Sequence, residues 1–144
     1  MKMEEKKIGI AMILEVLGRP KESLEPALKD MIKELKEEKG VTVNTEKINE
    51  PKLVKDSKDI YTNFAELEAE VDDTLLALRI LFKYMPSHIE ITSPEKIMQT
   101  NNELNETLNE ITRRLHAYDE VARIFQIEKA KMMQKIKELE EKKD

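Results

Sequence analysis

The sequence predicts an α+β chain, a mixed strand-and-helix head followed by one long C-terminal helix. Three observations carry that expectation. Ile8, Ile10, Met12, Leu14 and Val16 alternate with a period of two, the pattern of a strand with one buried face. Leu24, Leu28, Met31, Ile32 and Leu35 then recur at helical spacing, which gives one apolar stripe. From Leu104 to Leu139 apolar positions follow one another in steps of four and three with no Gly or Pro between them, the signature of a coiled coil.

Taken in order, the first strand stops at Gly18 and Pro20, two residues that punctuate regular structure. Ser23 stands at an N-cap position and Pro26 falls in the first helical turn, where its missing N–H has no intrahelical partner to lose. Gly40 occupies the C′ site expected at the end of that helix, where a left-handed residue is favoured. Val41 and Val43 open a second strand that reaches about Ile48, and the polar residues 49–59, with Pro51 among them, read as a loop. Tyr61, Ala65, Leu67, Ala69 and Val71 alternate with Glu66, Glu68 and Glu70 in a third strand. Asp72 or Asp73 caps a second helix bearing Leu75, Leu76, Leu78, Ile80, Leu81 and Phe82, which ends at Met85-Pro86. His88 to Thr92 forms a short fourth strand.

The order is therefore βαββαβ. Two βαβ halves of this size pack most economically as a ferredoxin-like sandwich, with a four-stranded antiparallel sheet, both helices on one face, and the first and third strands central. That is a likeness of fold and implies no activity, because the same architecture serves enzymes, RNA binders, metal carriers and sensors. The expected organisation is a head over residues 1–92, a connector over 93–101, and a coiled-coil helix over 102–144. Within the connector, Ser93-Pro94-Glu95 looks like the start of a short helical turn reaching Met98, since Pro suits the first helical position. The final helix would run roughly 60 Å at 1.5 Å per residue.

Charge and composition narrow the function. The chain of 144 residues has 25 Lys and Arg against 30 Asp and Glu, a net charge of −5. Up to Thr92 there are 15 basic against 19 acidic residues, and beyond it 10 against 11. Neither part is the basic footprint that neutralises phosphates, so nucleic acid is a disfavoured partner. The absence of cysteine excludes disulfides, thiolate zinc sites and cysteine nucleophiles. No apolar run approaches the ~18 residues of a membrane span. Met1 to Lys7 is charged, but the apolar run behind it contains Glu15 and no small-residue cleavage site, so it reads as strand and not signal peptide, with the cytoplasm as default address. Abundant Lys and Glu with no Cys or Trp would suit a thermophile.

The long helix dominates the functional reading. Leu104, Leu108, Ile111, Leu115, Tyr118, Ala122, Phe125, Met132, Ile136 and Leu139 form its seam, with Lys129 the single polar member. A stripe of that size is not left to water in a soluble monomer, so a second copy or a heterologous chain is expected to cover it. With Leu108 and Leu115 at heptad position a, Arg114 and Lys135 at g would meet Asp119 and Glu140 at e of a parallel partner. Leu at a with Ile at d leans toward higher order, while Lys129, whose stem can reach water, leans toward a dimer. A homodimer is the favoured oligomer. An antiparallel hairpin folding back near residues 116–119 is the intramolecular alternative, although no Gly or Pro marks a turn there. Between Ala117 and Ile127 the outer face is apolar as well, through Ala117, Val121, Ile124 and Ile127, flanked by Arg113, Arg114, His116 and Arg123. The plainer explanation is packing against the chain's own head or a third helix; the sharper one is a docking patch for a different protein.

Little else speaks of chemistry. His88 and His116 stand alone, with no metal-ligand spacing around them. Glu66, Glu68 and Glu70 share a strand face about 7 Å apart. Such a ridge could bind a hard cation, though solvated sheet surface explains it more simply. It also places carboxylates where RNA-binding sheets of this topology place aromatics. Ala11, Ile13, Glu15 and Leu17 lie on the same open face, which leads us to expect partial cover from a sister domain or the C-terminal helix. Arg19 and Lys21, beside the first helix N-terminus, form a weak anion-binding candidate without a Gly-rich cradle. No catalytic constellation, metal site or cofactor motif emerges. The expected function is a non-enzymatic oligomeric scaffold or adaptor, with an α/β head and a helical arm for oligomerisation and partner docking. Two alternatives come from other classes. One is a nucleic-acid or ribosome-associated factor using Arg113, Arg114 and Arg123 with Arg19 and Lys21. The other is a small-molecule-sensing regulatory domain.

Overall fold

The computed structural model describes residues 7–143. The charged residues ahead of Lys7, on which the reading of the amino end as no signal peptide partly rests, lie outside the described residues, as does Asp144. The elements are β1 (Ile8–Gly18), α1 (Leu24–Glu37), β2 (Val41–Ile48), β3 (Lys52–Leu53), β4 (Tyr61–Val71), α2 (Thr74–Tyr84), β5 (His88–Ser93) and α3 (Asn101–Glu141). The chain divides into two compact units between Thr100 and Asn101.

The first unit is α+β, with a five-stranded sheet in the order β2-β4-β1-β5 and β3 added to β4. All of its neighbouring strands are antiparallel. β1 and β4 occupy the middle and pair along their whole length, from Ile8 opposite Val71 to Gly18 opposite Tyr61. Because side chains alternate across a strand, this register stacks the apolar sets of both on one face. Ile10 lies opposite Ala69, Met12 opposite Leu67 and Leu14 opposite Ala65. All of these are buried, with Leu28, Ile32 and Leu35 of α1 and Ala77, Ile80 and Tyr84 of α2 in the same core. Each fully buried Leu or Ile contributes on the order of 1.5–3 kcal/mol relative to exposure.

The edges are less regular. Val43 pairs with Ala69 and Thr45 with Glu68, so Asn44 is an extra residue on β2. On the other side the β1–β5 register slips between Gly9 and Ile10. A methyl at Gly9 would overlap the hydroxyls of Ser93 and Thr92, so the close approach of β5 depends on the missing side chain.

Local signals act largely as expected at α2. Asp73 is its N-cap and accepts a hydrogen bond from the Leu76 backbone N–H at 2.8 Å. Met85 ends it in the left-handed region at φ 47°. Ser23 behaves differently: it precedes α1, but its hydroxyl donates to the Pro20 carbonyl at 2.7 Å and makes no cap bond to the helix. A three-residue 3₁₀ turn, Lys21–Ser23, leads into α1 instead, and Ser23 is already helical in φ and ψ, which takes its hydroxyl away from the first-turn N–H groups. Gly40 takes φ +85° two residues beyond the Glu38 C-cap, so it serves the entry to β2.

Three further expectations change. The loop over residues 49–59 contains β3, which pairs Lys52 with Thr62 and Leu53 with Tyr61. Residues 94–98 carry bends and no helical turn. Ser93 remains paired with Gly9 at the end of β5 and Gln99 hydrogen-bonds Thr74. Finally, α3 runs unbroken for 41 residues, so the fold-back near residues 116–119 does not occur.

Candidate functional site

The second unit is α3 itself, and its sequence accounts for its continuity. It has no Gly or Pro and is rich in Leu, Ala, Glu, Lys, Arg, Met and Gln, the stronger helix formers. Pairs at helical spacing add support: Arg114 Nε to Glu110 at 3.1 Å, Arg123 Nε to Asp119 at 2.9 Å, and Lys131 Nζ to Glu128 at 3.7 Å. Such pairs are each worth about 0.2–0.5 kcal/mol.

The seam residues fall along one side, in keeping with their four-three spacing. Most are exposed, from 45% for Leu104 to 68% for Phe125, with Leu108, Leu115, Tyr118, Met132, Ile136 and Leu139 between those limits. Ala122 and Lys129 are also exposed, and Ile111 is half-buried. A lone helix covers part of each of its own side chains, so about half exposure is what an unpartnered seam shows. The outer patch is equally open. Val121, Ile124 and Ile127 are exposed at 48%, 50% and 56%, and Ala117 is exposed too. Met133, exposed at 58%, extends the apolar surface and was not singled out by the seam spacing.

The arginines flanking this patch are committed to their own helix. Arg113 and Arg114 both ion-pair with Glu110, whose carboxylate is buried, and Arg123 pairs with Asp119. Glu110 escaped the sequence reading, although its spacing of three and four to the two arginines was the available signal. His116 is exposed.

The weak anion candidate is likewise engaged internally. Arg19 forms an ion pair with Asp59 at 2.5 Å, and the Lys21 ammonium lies 5.9 Å from the centre of the Tyr61 ring. On the open sheet face, Glu66, Glu68 and Glu70 are exposed, Ala11 and Ile13 are half-buried, and Leu17 is 64% exposed. A shallow hollow there is lined by Ala11, Ile13, Thr45, Lys47, Glu66 and Glu68, with His88 and Glu90 at its side. Lys47 lies opposite Glu66 in the β2–β4 register and tempers the acidic ridge. Among the described residues, no group of three or more His, Asp or Glu is arranged to hold a metal ion.

One polar cluster perturbs its members. Lys83 reaches Glu38 at 2.5 Å and Glu34 at 3.2 Å, and the Tyr84 hydroxyl donates to Glu38 at 2.9 Å. Hydrogen bonds from Lys83, then from Tyr84, hold the Glu38 carboxyl below its ordinary range. The Glu38 and Glu34 carboxylates push Lys83 up. Burial, reinforced by Glu38, pushes Tyr84 well above the usual phenol range. The cluster ties the end of α1 to the last turn of α2, which is a structural job.

Comparison with known proteins is consistent with a long shared segment. The model of the MJ0538 family matches residues 9–144. The uncharacterized protein MJ0538 of the thermophilic archaeon Methanocaldococcus jannaschii is 33% identical over 103 residues, covering 70% of this chain and 38% of that protein. The chain thus aligns with well under half of that relative's length. No solved structure matches. No helix among the described residues is long and apolar enough to cross a membrane.

Proposed function

The chain belongs to the MJ0538 family, and on that footing we propose that it is a non-enzymatic, oligomeric scaffold or adaptor. In this reading the first unit is a ferredoxin-like head, and α3 is a coiled-coil arm that joins copies and docks a protein partner. The observation that carries it is the continuous 41-residue helix with an unbroken four-three seam whose large side chains stand about half exposed. Eight such side chains present on the order of 800 Å² per copy, the area that a standard-size protein interface takes from one partner. Support for the ferredoxin-like head comes from the order β2-β4-β1-β5, in which the first and third of the four longer strands are central. Docking on the outer patch of Val121, Ile124 and Ile127 would use helix-in-groove recognition. Joining copies would then raise the effective affinity for a multivalent partner. A ribosome or nucleic-acid role draws less support, because the helix arginines are already paired with Glu110 and Asp119.

Light scattering on the intact chain tests the proposal. We expect a mass that is a multiple of the 16.8 kDa chain, falling to one chain when Leu115 and Phe125 are both changed to Glu. A wild-type protein that is already monomeric, or a double variant of unchanged mass, would overturn it.

A further inference from the structure

We propose that α3 pairs with α3 of a second copy in parallel and in register, with Lys129 reaching across to Glu128 of that copy. This rests on the oligomeric reading above and adds its geometry. The first argument is charge. With Leu108, Leu115, Ala122, Lys129 and Ile136 at position a, parallel alignment sets Lys135 at g against Glu140 at e of the second copy, and Arg114 against Asp119. The remaining g–e contacts are Thr107 with Thr112, Val121 with Gln126, and Glu128 with Met133, so no like charges meet at the flanks; within the seam Lys129 shares its layer with Lys129 of the second copy, and each needs a carboxylate at the margin. Arg114 is also held by Glu110 at 3.1 Å, which makes Lys135 with Glu140 the freer of the two cross-copy pairs.

The second argument is Lys129. It is the one charged residue in the seam and it is exposed. In a parallel pair the residue at a packs into a hole bordered by the preceding g residue of the other helix. That residue is Glu128, whose contact with Lys131 of its own helix is long, at 3.7 Å; both side chains are exposed, which leaves the carboxylate able to meet a second cation. The lysine stem can lie along the seam while its ammonium meets this carboxylate at the margin. An antiparallel pair covering Leu104 to Ile136 would instead set Lys129 against Ile111 and bring Asp119 close to its own counterpart at the two-fold axis. That arrangement leaves a lysine in an apolar layer and opposes two carboxylates. A single polar a-position residue is also a known means of fixing register.

The chain contains no cysteine, so one introduced thiol can link only to its own copy. Leu139→Cys and, separately, Met132→Cys place the thiol at d, far from the middle of the helix. Each should oxidise to a disulfide-linked dimer that disappears on reduction. Leu104→Cys and Ile136→Cys, unfolded and refolded together, should give self-linked dimers and no mixed disulfide when products are weighed by mass spectrometry. Mixed Leu104→Cys/Ile136→Cys dimers, with Leu139→Cys and Met132→Cys failing to link, would overturn the parallel geometry. Light scattering would still show an oligomer in that case, leaving the proposed function standing. A monomer by light scattering that forms none of these disulfides would remove both.

Discussion

Asn63 offers a quantitative test of the head. It lies on the inward face of β4, opposite Val16 of β1, and is fully buried, yet among the described residues neither its amide nitrogen nor its oxygen has a hydrogen-bond partner. A buried polar group without a partner costs about 1–3 kcal/mol. Asn63→Val removes that cost, keeps a side chain of similar bulk, and substitutes a residue better suited to a strand, a preference worth up to about 1 kcal/mol. Reshaping the surrounding core takes back some of the gain, so we expect net stabilisation of ~1–3 kcal/mol. For a cooperative unit of about 100 residues this raises the Tm by roughly 5–15 °C. Differential scanning calorimetry measures it directly; tyrosine fluorescence in a Tyr118→Phe background follows the head separately, since the chain has no Trp and its other two Tyr, Tyr61 and Tyr84, lie in the first unit. Leu28→Ala, at a fully buried α1 position, calibrates the assay with an expected loss of about 2–5 kcal/mol. If Asn63→Val melted well below wild type while Leu28→Ala behaved as expected, the amide would have to be hydrogen-bonded in solution, and the argument from its isolation would fail.

Two further outcomes follow from the same structure. Gly40→Ala would force a side chain onto φ +85° and set its Cβ 2.5 Å from Asp72 Oδ2 and 2.9 Å from Leu76 Cδ2; a loss of about 1–3 kcal/mol in urea unfolding is expected, and an unchanged midpoint would refute the conformational argument. The Glu38 cluster should shape the pH profile. Glu38 is depressed, so its contribution is present above the ordinary Glu range near 4.3 and is lost as pH falls through the lower folded value. Lys83 and Tyr84 are raised, so theirs is present below about pH 10 and is lost as pH rises further. Glu38→Gln should therefore flatten the acid limb of a urea-midpoint profile, and superimposable profiles for variant and wild type would contradict the assignment.

Much of this was legible in the residues, and what was not has physical causes. β1 and β4 announce themselves because burial of a single face imposes a period of two. α3 is legible for the corresponding reason at a seven-residue repeat. β3 left no trace: its two residues are both exposed and make only a short edge pairing. The extra residue at Asn44 is set by the partner strand, and its own side chain gives no notice of it. Ion pairs divide in the same way. Glu110 with Arg113 and Arg114 could have been read from helical spacing, whereas Arg19 and Asp59 are forty positions apart and meet only through the fold. The candidate seam was readable residue by residue. The accessibility of Val121, Ile124 and Ile127 was not, because an apolar residue on a helix does not say which neighbour covers it.

The irregular margins of the sheet bear on how copies meet. Strands at an open boundary invite a further chain to add its own backbone, and a flat, uninterrupted one can seed fibrils. Here the outermost strands are the two-residue β3, β2 with its extra residue at Asn44, and β5, whose pairing slips beside Gly9. Such dislocations spoil the even row of amides and carbonyls that an incoming strand must match. Sheet-to-sheet growth is thereby discouraged, and the proposed pairing of copies would fall to side chains, which discriminate where bare backbone cannot.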